Sequence, residues 1–216
     1  MNWKREVFKN FRLYAVTDLG DEDPAIFKKV EAAYRGGVDI IQLRSKALSD
    51  RALHRMGLRF RKIADQYRRL FFVNDRPDLA LAVGADGIHL GQEDLPSAGV
   101  LRILKGRKMW IGRSTHNLDQ ALRAVEEGAD YIGVGPIFET PTKPSSRPVG
   151  LGLIRQVKKK IRLPFVCIGG INRHNLGQVT AAGGTRIAVV RAVFGARNVY
   201  QAAKDLREAL LHNEKT

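Results

Sequence analysis

Ala32-Ala-Tyr-Arg-Gly-Gly-Val-Asp-Ile-Ile41 closes an amphipathic run and opens an apolar one, and Ala82-Val-Gly-Ala-Asp-Gly-Ile88 and Ala124-Val-Glu-Glu-Gly-Ala-Asp-Tyr-Ile132 repeat the arrangement. In each, glycine follows the last helix-periodic residue, where a helix stops in the left-handed conformation, and a short apolar run begins. One unit of helix, glycine and strand is being reused. Working outward from these three segments, eight runs read as strands: 13–17, 39–43, 70–74, 87–90, 109–112, 131–135, 164–169 and 186–190. Several are nearly continuous in apolar residues, the pattern of strands covered on both faces in a parallel βα repeat. Amphipathic stretches at 25–35, 50–66, 118–127, 175–182 and 199–211 read as helices between them.

Eight βα units, with no Gly-x-Gly-x-x-Gly after the first strand, favour an α/β fold closed as a (β/α)8 barrel over a doubly wound sheet. Residues 1–216 read as one barrel domain: a short N-terminal helix over 1–11, then the barrel over 12–212. Trp3, Val7, Phe8 and Phe11 recur at helical spacing, which fits a helix capping the bottom of the barrel.

A composition of 44% hydrophobic and 27% charged residues is that of a globular chain. The longest stretches free of Asp, Glu, Lys and Arg, 163–172 and 174–185, are far too short to span a bilayer, and residues 1–11 lack the apolar block of a signal peptide. The expected location is cytoplasmic, with no membrane partner. Cys167 is the single cysteine and lies in an apolar run, so it reads as a small buried hydrophobe rather than a disulfide partner or zinc ligand. A net charge of +15 attracts polyanions without saying which. Arg51, Arg55, Arg59 and Lys62 share one helix side, and without interleaved aromatics they read as a solvated face, not a nucleic-acid site.

Function in such a barrel sits where strands end. Those ends carry Thr17-Asp18, Gln42-Leu-Arg44-Ser-Lys46, Asn74-Asp75-Arg76, His89-Leu-Gly-Gln92-Glu-Asp94, Arg113-Ser114-Thr115-His116, Thr140-Pro-Thr142-Lys143, Gly169-Gly170 and Arg191. Arg44, Lys46, Lys143 and Arg191 are cations suited to phosphate oxygens, so a diphosphate fits them. Asp75 and Asp94, on neighbouring strand ends, suit magnesium shared with substrate phosphate, although Asp75 pairing with Arg76, or Asp94 capping a helix, would explain them without a metal. Gly169-Gly170 and Val190-Arg191 occupy the common phosphate site of such barrels. His116 reads equally as a proton-transfer residue or a structural one, and His89 as a core or lining histidine.

At this point the sequence resembles a known family, the thiamine phosphate synthases. Gln42-Leu-Arg44-Ser-Lys46, Val73-Asn74-Asp75-Arg76, Gly87-Ile-His-Leu-Gly-Gln92-Glu-Asp94, Gly112-Arg-Ser114-Thr-His116, Gly133-Val-Gly-Pro-Ile-Phe-Glu-Thr140-Pro-Thr142-Lys143 and Ile168-Gly-Gly170-Ile-Asn follow in order at successive strand ends. The resemblance implies an enzyme that joins 4-amino-5-hydroxymethyl-2-methylpyrimidine diphosphate to 4-methyl-5-(2-hydroxyethyl)thiazole phosphate, with Mg2+ as cofactor. It implies that Gln42, Arg44, Lys46, Asn74, Ser114 and Lys143 hold the pyrimidine diphosphate, with Arg44, Lys46, Ser114 and Lys143 acting in catalysis. Thr140, Thr142, Gly170, Val190 and Arg191 would hold the thiazole phosphate, and Asp75 and Asp94 the metal. The reaction it implies is dissociative: the pyrimidine C–O bond breaks to a stabilised carbocation that the thiazole nitrogen captures.

Two positions depart from many members: Ser45 replaces glutamate between Arg44 and Lys46, and Arg191 replaces a serine that donates to the thiazole phosphate. Rival readings are a thiazole tautomerase using His116, which needs no metal, and a non-catalytic phosphate- or nucleic-acid-binding barrel. The Asp75 and Asp94 pair favours the synthase. Residues 142–149 read as a lid ordered by substrate, and a homodimer through outer helices is an expectation from barrels in general.

Overall fold

Strand pairing follows chain order without a crossover. β1 (Leu13–Val16), β2 (Ile40–Leu43), β3 (Leu70–Asn74), β4 (Gly87–Leu90), β5 (Trp110–Thr115), β6 (Tyr131–Val134), β7 (Phe165–Ile168) and β8 (Ile187–Val189) are parallel, and β8 returns to β1. The computed structural model describes residues 2–142 and 147–212. Around the barrel lie α1 (Asn2–Asn10), α2 (Ala25–Arg35), α3 (Asp50–Gln66), α4 (Pro77–Ala82), α5 (Ser97–Leu104), α6 (Leu118–Glu126), α7 (Gly150–Lys160), α8 (Leu176–Ala181), α9 (Arg191–Phe194) and α10 (Val199–His212).

Period-two alternation sorts each strand into two faces. Leu13, Ile41, Phe71, Ile88, Ile111 and Ile132 point outward and join the helices in the larger core, while Tyr14, Ile40, Phe72, Tyr131, Val166 and Ala188 point inward and fill the lower barrel. Trp3, Val7 and Phe8 of α1 pack against that inner cluster, with Phe8 stacked on Trp110 at 4.4 Å between ring centroids. The inner layer alternates large and absent side chains: a Cβ on Gly112 would come within 2.2 Å of the Tyr131 ring.

The repeated Gly-x-Asp segment explains how strand starts are aligned. Asp39 Oδ2 accepts from the backbone N–H groups of Arg12 and Leu13 at 2.8 and 3.2 Å, Asp86 Oδ2 from Phe71 at 2.9 Å, and Asp130 Oδ2 from Ile111 at 2.8 Å. Each carboxylate thus reaches back one strand and satisfies a buried donor at the barrel's lower rim. Asp86 also pairs with Arg61 and Lys4, each at 2.6 Å, so three elements meet on one buried carboxylate. Asp86→Ala leaves Arg61 without its buried partner and Phe71 N–H without an acceptor, for an expected loss of about 3 kcal/mol. Thermal unfolding should show it as a fall of about 6–12 °C; an unchanged midpoint would contradict the role.

Several boundaries differ from the sequence reading by a residue or more, and three of them have a visible cause. β5 runs on through Thr115 because Ser114 and Thr115 keep pairing with Gly133 and Val134 and the Thr115 hydroxyl donates to the Gly133 carbonyl at 2.9 Å. β7 is shorter than expected, at Phe165–Ile168, because Gly169 turns away with φ 100°. β8 ends at Val189, and Val190 already caps α9.

Candidate active site

A cavity of about 500 Å³ opens at the carboxyl end of the strands. Gln42, Arg44, Asn74, Ser114, Thr140, Thr142, Gly170, Val190 and Arg191 all line it. These residues come from six strands and their following loops, so only barrel closure brings them together. The inward set on each strand continues upward into this wall: Ile40 leads to Gln42 and Arg44, Phe72 to Asn74, Gly112 to Ser114, and Ala188 to Val190.

Lys46, Asp75 and Asp94 do not line the cavity itself but form a group beside Asn74. Lys46 Nζ lies 2.7 Å from Asp75 Oδ2, and the Asp94 carboxyl contacts that of Asp75. Burial, then the Asp75 carboxyl, raises the Asp94 pKa above the ordinary carboxylate range. Asp75 takes a left-handed backbone with φ 61°, which aspartate tolerates better than most residues and which turns its carboxyl toward Lys46. The metal-free explanations offered for these carboxylates do not match the contacts. Arg76 pairs with Asp50 and Asp78 rather than Asp75, and Asp94 Oδ2 accepts from Gly91 N–H at 2.6 Å rather than capping α5.

Arg44 pairs with Asp18 at the cavity mouth. The Ser45 side chain turns away from it: its hydroxyl donates to the Leu19 carbonyl at 2.7 Å and accepts from the Ala47 and Leu48 N–H groups. His116 lines the cavity, with Nδ1 2.5 Å from the Gly135 carbonyl oxygen and its own N–H donating to Gln120. Those contacts hold the ring against the loop after β6 through Nδ1, which fits either reading of His116; Gly170 has φ 66°, and a Cβ there would stand 2.4 Å from the Glu139 carbonyl oxygen. Lys143 and half of the proposed lid, 143–146, lie outside the described residues.

Cys167 is buried between β6 and β8, and burial pushes its thiol up to about 12, so it is a neutral core side chain as expected. The basic side of α3 is exposed; Arg55 pairs with Glu22, and Arg59 lies over the Phe27 ring at 3.8 Å. Among the described residues no helix is long and apolar enough to cross a membrane.

Tyr14 and His89 also line the cavity, and reasoning from strand ends alone passed over Tyr14. Both lie one turn of the pleat below the ends, on the inward set. Counting alternate residues down from Val16 would have found Tyr14, and from Gly91 would have found His89.

The comparisons agree with this geometry. Residues 13–193 match the family model for thiamine monophosphate synthase. A thiamine-phosphate synthase of Shouchella clausii is 47% identical over 206 residues, covering 94% of this chain and 97% of the relative. One from Gloeobacter violaceus is 49% identical over 187 residues, 87% of this chain, and the chain spans only 54% of that longer relative. Thiamine phosphate pyrophosphorylase from Pyrococcus furiosus superimposes with a TM-score of 0.84 at 38% identity, covering 94% of this chain and 96% of that one. A family match across almost the whole barrel, joined to full-length relatives of this identity, places the chain in the thiamine monophosphate synthase family.

Proposed function

We propose that the protein is a thiamine-phosphate synthase, a transferase that joins 4-amino-5-hydroxymethyl-2-methylpyrimidine diphosphate to 4-methyl-5-(2-hydroxyethyl)thiazole phosphate and releases pyrophosphate. The observation that carries this reading is the convergence of eight family-type contact residues, and of Arg191, on one cavity, with Lys46, Asp75 and Asp94 grouped at its edge. Gln42, Asn74 and Ser114 would orient the pyrimidine, while Arg44, Lys46 and Lys143 neutralise its diphosphate.

Asp75 and Asp94 suit Mg2+: two adjoining carboxylates, one of them with its proton affinity raised by burial and by the other, are a donor set that a divalent cation would relieve. Such an ion, when bound, supplies charge neutralisation for the pyrophosphate leaving group. Thr140, Thr142, Gly170 and Val190 would seat the thiazole phosphate across the cavity, so that its ring nitrogen faces the pyrimidine methylene carbon. Bond breaking precedes bond making, and the chain need supply no nucleophile; its residues hold the two reactants in register and stabilise the charge that separates.

Arg191 lines the cavity and is solvent-exposed at the first residue of α9. In this reading its guanidinium takes the role of a hydroxyl donor toward the thiazole phosphate. Arg191→Ala should raise KM for thiazole phosphate about tenfold and leave that for the pyrimidine diphosphate within about twofold. Steady-state kinetics with each substrate varied in turn checks this, and equal effects on both would remove Arg191 from the phosphate site. The synthase reading itself is tested by assaying thiamine phosphate and pyrophosphate together, and folded protein that forms neither would contradict it.

A further inference from the structure

Five side chains from five strands form one hydrogen-bonded line through the barrel. Gln42 Nε2 donates to Tyr14 Oη at 2.7 Å, and Tyr14 Oη lies 3.1 Å from Tyr131 Oη. Tyr131 Oη is 2.9 Å from His89 Nδ1, and His89 Nε2 is 2.9 Å from Ser114 Oγ. The line begins and ends on cavity residues, Gln42 and Ser114, but its middle member, Tyr131, is fully buried below the cavity against Gly112.

Proton counting gives the line a direction. A phenol has one proton to donate, and a neutral imidazole has one N–H. Burial raises both phenol pKa values, so both hydroxyls keep their protons. With the Gln42 amide nitrogen on Tyr14, the Tyr14 proton goes to Tyr131, the Tyr131 proton to His89 Nδ1, and the His89 proton sits on Nε2 facing Ser114. Ser114 Oγ then accepts from within the barrel and keeps its own proton for the cavity, while the carbonyl oxygen is what Gln42 offers there. Reversing one bond requires reversing all four, including the Gln42 amide and the His89 tautomer.

We infer that Tyr131, with Tyr14 and His89, is a positioning residue that fixes Gln42 as an acceptor and Ser114 as a donor toward the substrate. That polarity fits an aminopyrimidine diphosphate, whose exocyclic amine donates and whose phosphate oxygens only accept, and to that extent the inference rests on the synthase reading. An acceptor at Ser114 would face phosphate oxygens, which also only accept, and without an acceptor at Gln42 the exocyclic amine would lose that partner.

Nitrogen-15 NMR of histidine-labelled protein, with His89 assigned by its disappearance in His89→Gln, reads the tautomer without any turnover. The expected result is the Nε2–H tautomer in the unmodified protein and a mixture in Tyr131→Phe, which keeps the ring that packs on Phe72 and Phe11. Kinetics should then show KM for the pyrimidine diphosphate raised about tenfold in Tyr131→Phe, with KM for thiazole phosphate unchanged. An Nδ1–H tautomer in the unmodified protein, or an unchanged tautomer and KM in folded Tyr131→Phe, would overturn the inference. Should Tyr131→Phe not fold, Tyr14→Phe cuts the line beside Gln42, and an unchanged pyrimidine KM in that variant overturns it equally. An Nε2–H tautomer in a protein that makes no thiamine phosphate supports the hydrogen-bonded line and rejects the synthase reading instead.

Discussion

Asp75→Asn and Asp94→Asn should each lower the rate of pyrophosphate release by about 10²–10³-fold at saturating magnesium, the size expected when a preorganised contact to developing charge is removed. The Asp94 carboxyl contacts that of Asp75, and burial together with that contact raises the Asp94 pKa, so a cation held between them, as proposed, would offset their repulsion. Replacing either carboxylate with an amide removes one ligand charge and also removes the repulsion. Asp94→Asn keeps an oxygen able to accept from Gly91 N–H, so the turn should hold. The variants should therefore unfold no earlier than the parent while losing activity, a combination that a purely structural role cannot produce. Titrating magnesium against pyrophosphate release, beside a thermal melt, separates the two. Retained metal-dependent turnover in either variant would remove that carboxylate from the metal site.

Gly170→Ala should raise KM for thiazole phosphate by one to two orders of magnitude, with little change for the pyrimidine diphosphate. Two observations set the size. The residue has φ 66°, where an L side chain costs on the order of 1–2 kcal/mol, and its new methyl would stand 2.4 Å from the Glu139 carbonyl oxygen and 2.8 Å from Phe138 Cβ. Backbone must move, and the segment that moves carries Glu139 and Thr140, on the wall assigned to the thiazole phosphate. At about 1.4 kcal/mol per tenfold, strain of this order accounts for the predicted change. Gly177, in α8, is the control: a Cβ there meets nothing within 4 Å, so Gly177→Ala should be neutral or slightly stabilising. Matching kinetics for the two variants would mean that the close approach at Gly170 is irrelevant to substrate.

The barrel was legible because three Gly-x-Asp junctions mark where helices stop and strands start. All eight predicted strands exist, with ends displaced by up to three residues, most at β5, where Ser114 and Thr115 extend the pairing. Helix α4 was read only by its end, at the second junction, and α5, α7 and α9 were given no bounds, α7 because its N-terminus follows the proline-rich loop. The cavity wall was legible for the polar strand ends, since a charged residue at a strand's carboxyl end has few structural reasons to be there. What lay deeper was not: nothing in the sequence marks Tyr14 and Tyr131, and only barrel closure shows that their hydroxyls meet at 3.1 Å across the interior. The aspartates of the repeat carry no sequence signal of their own, whereas in the structure Asp39, Asp86 and Asp130 each accept from the start of the preceding strand. Contacts between strands distant in sequence leave no periodic trace in either partner.

The most direct test mixes the purified protein with the pyrimidine diphosphate, thiazole phosphate and magnesium, and follows thiamine phosphate and pyrophosphate in the same reaction. The account predicts that both accumulate in equal amounts and that chelating the metal stops both. Folded protein that forms neither product would contradict it.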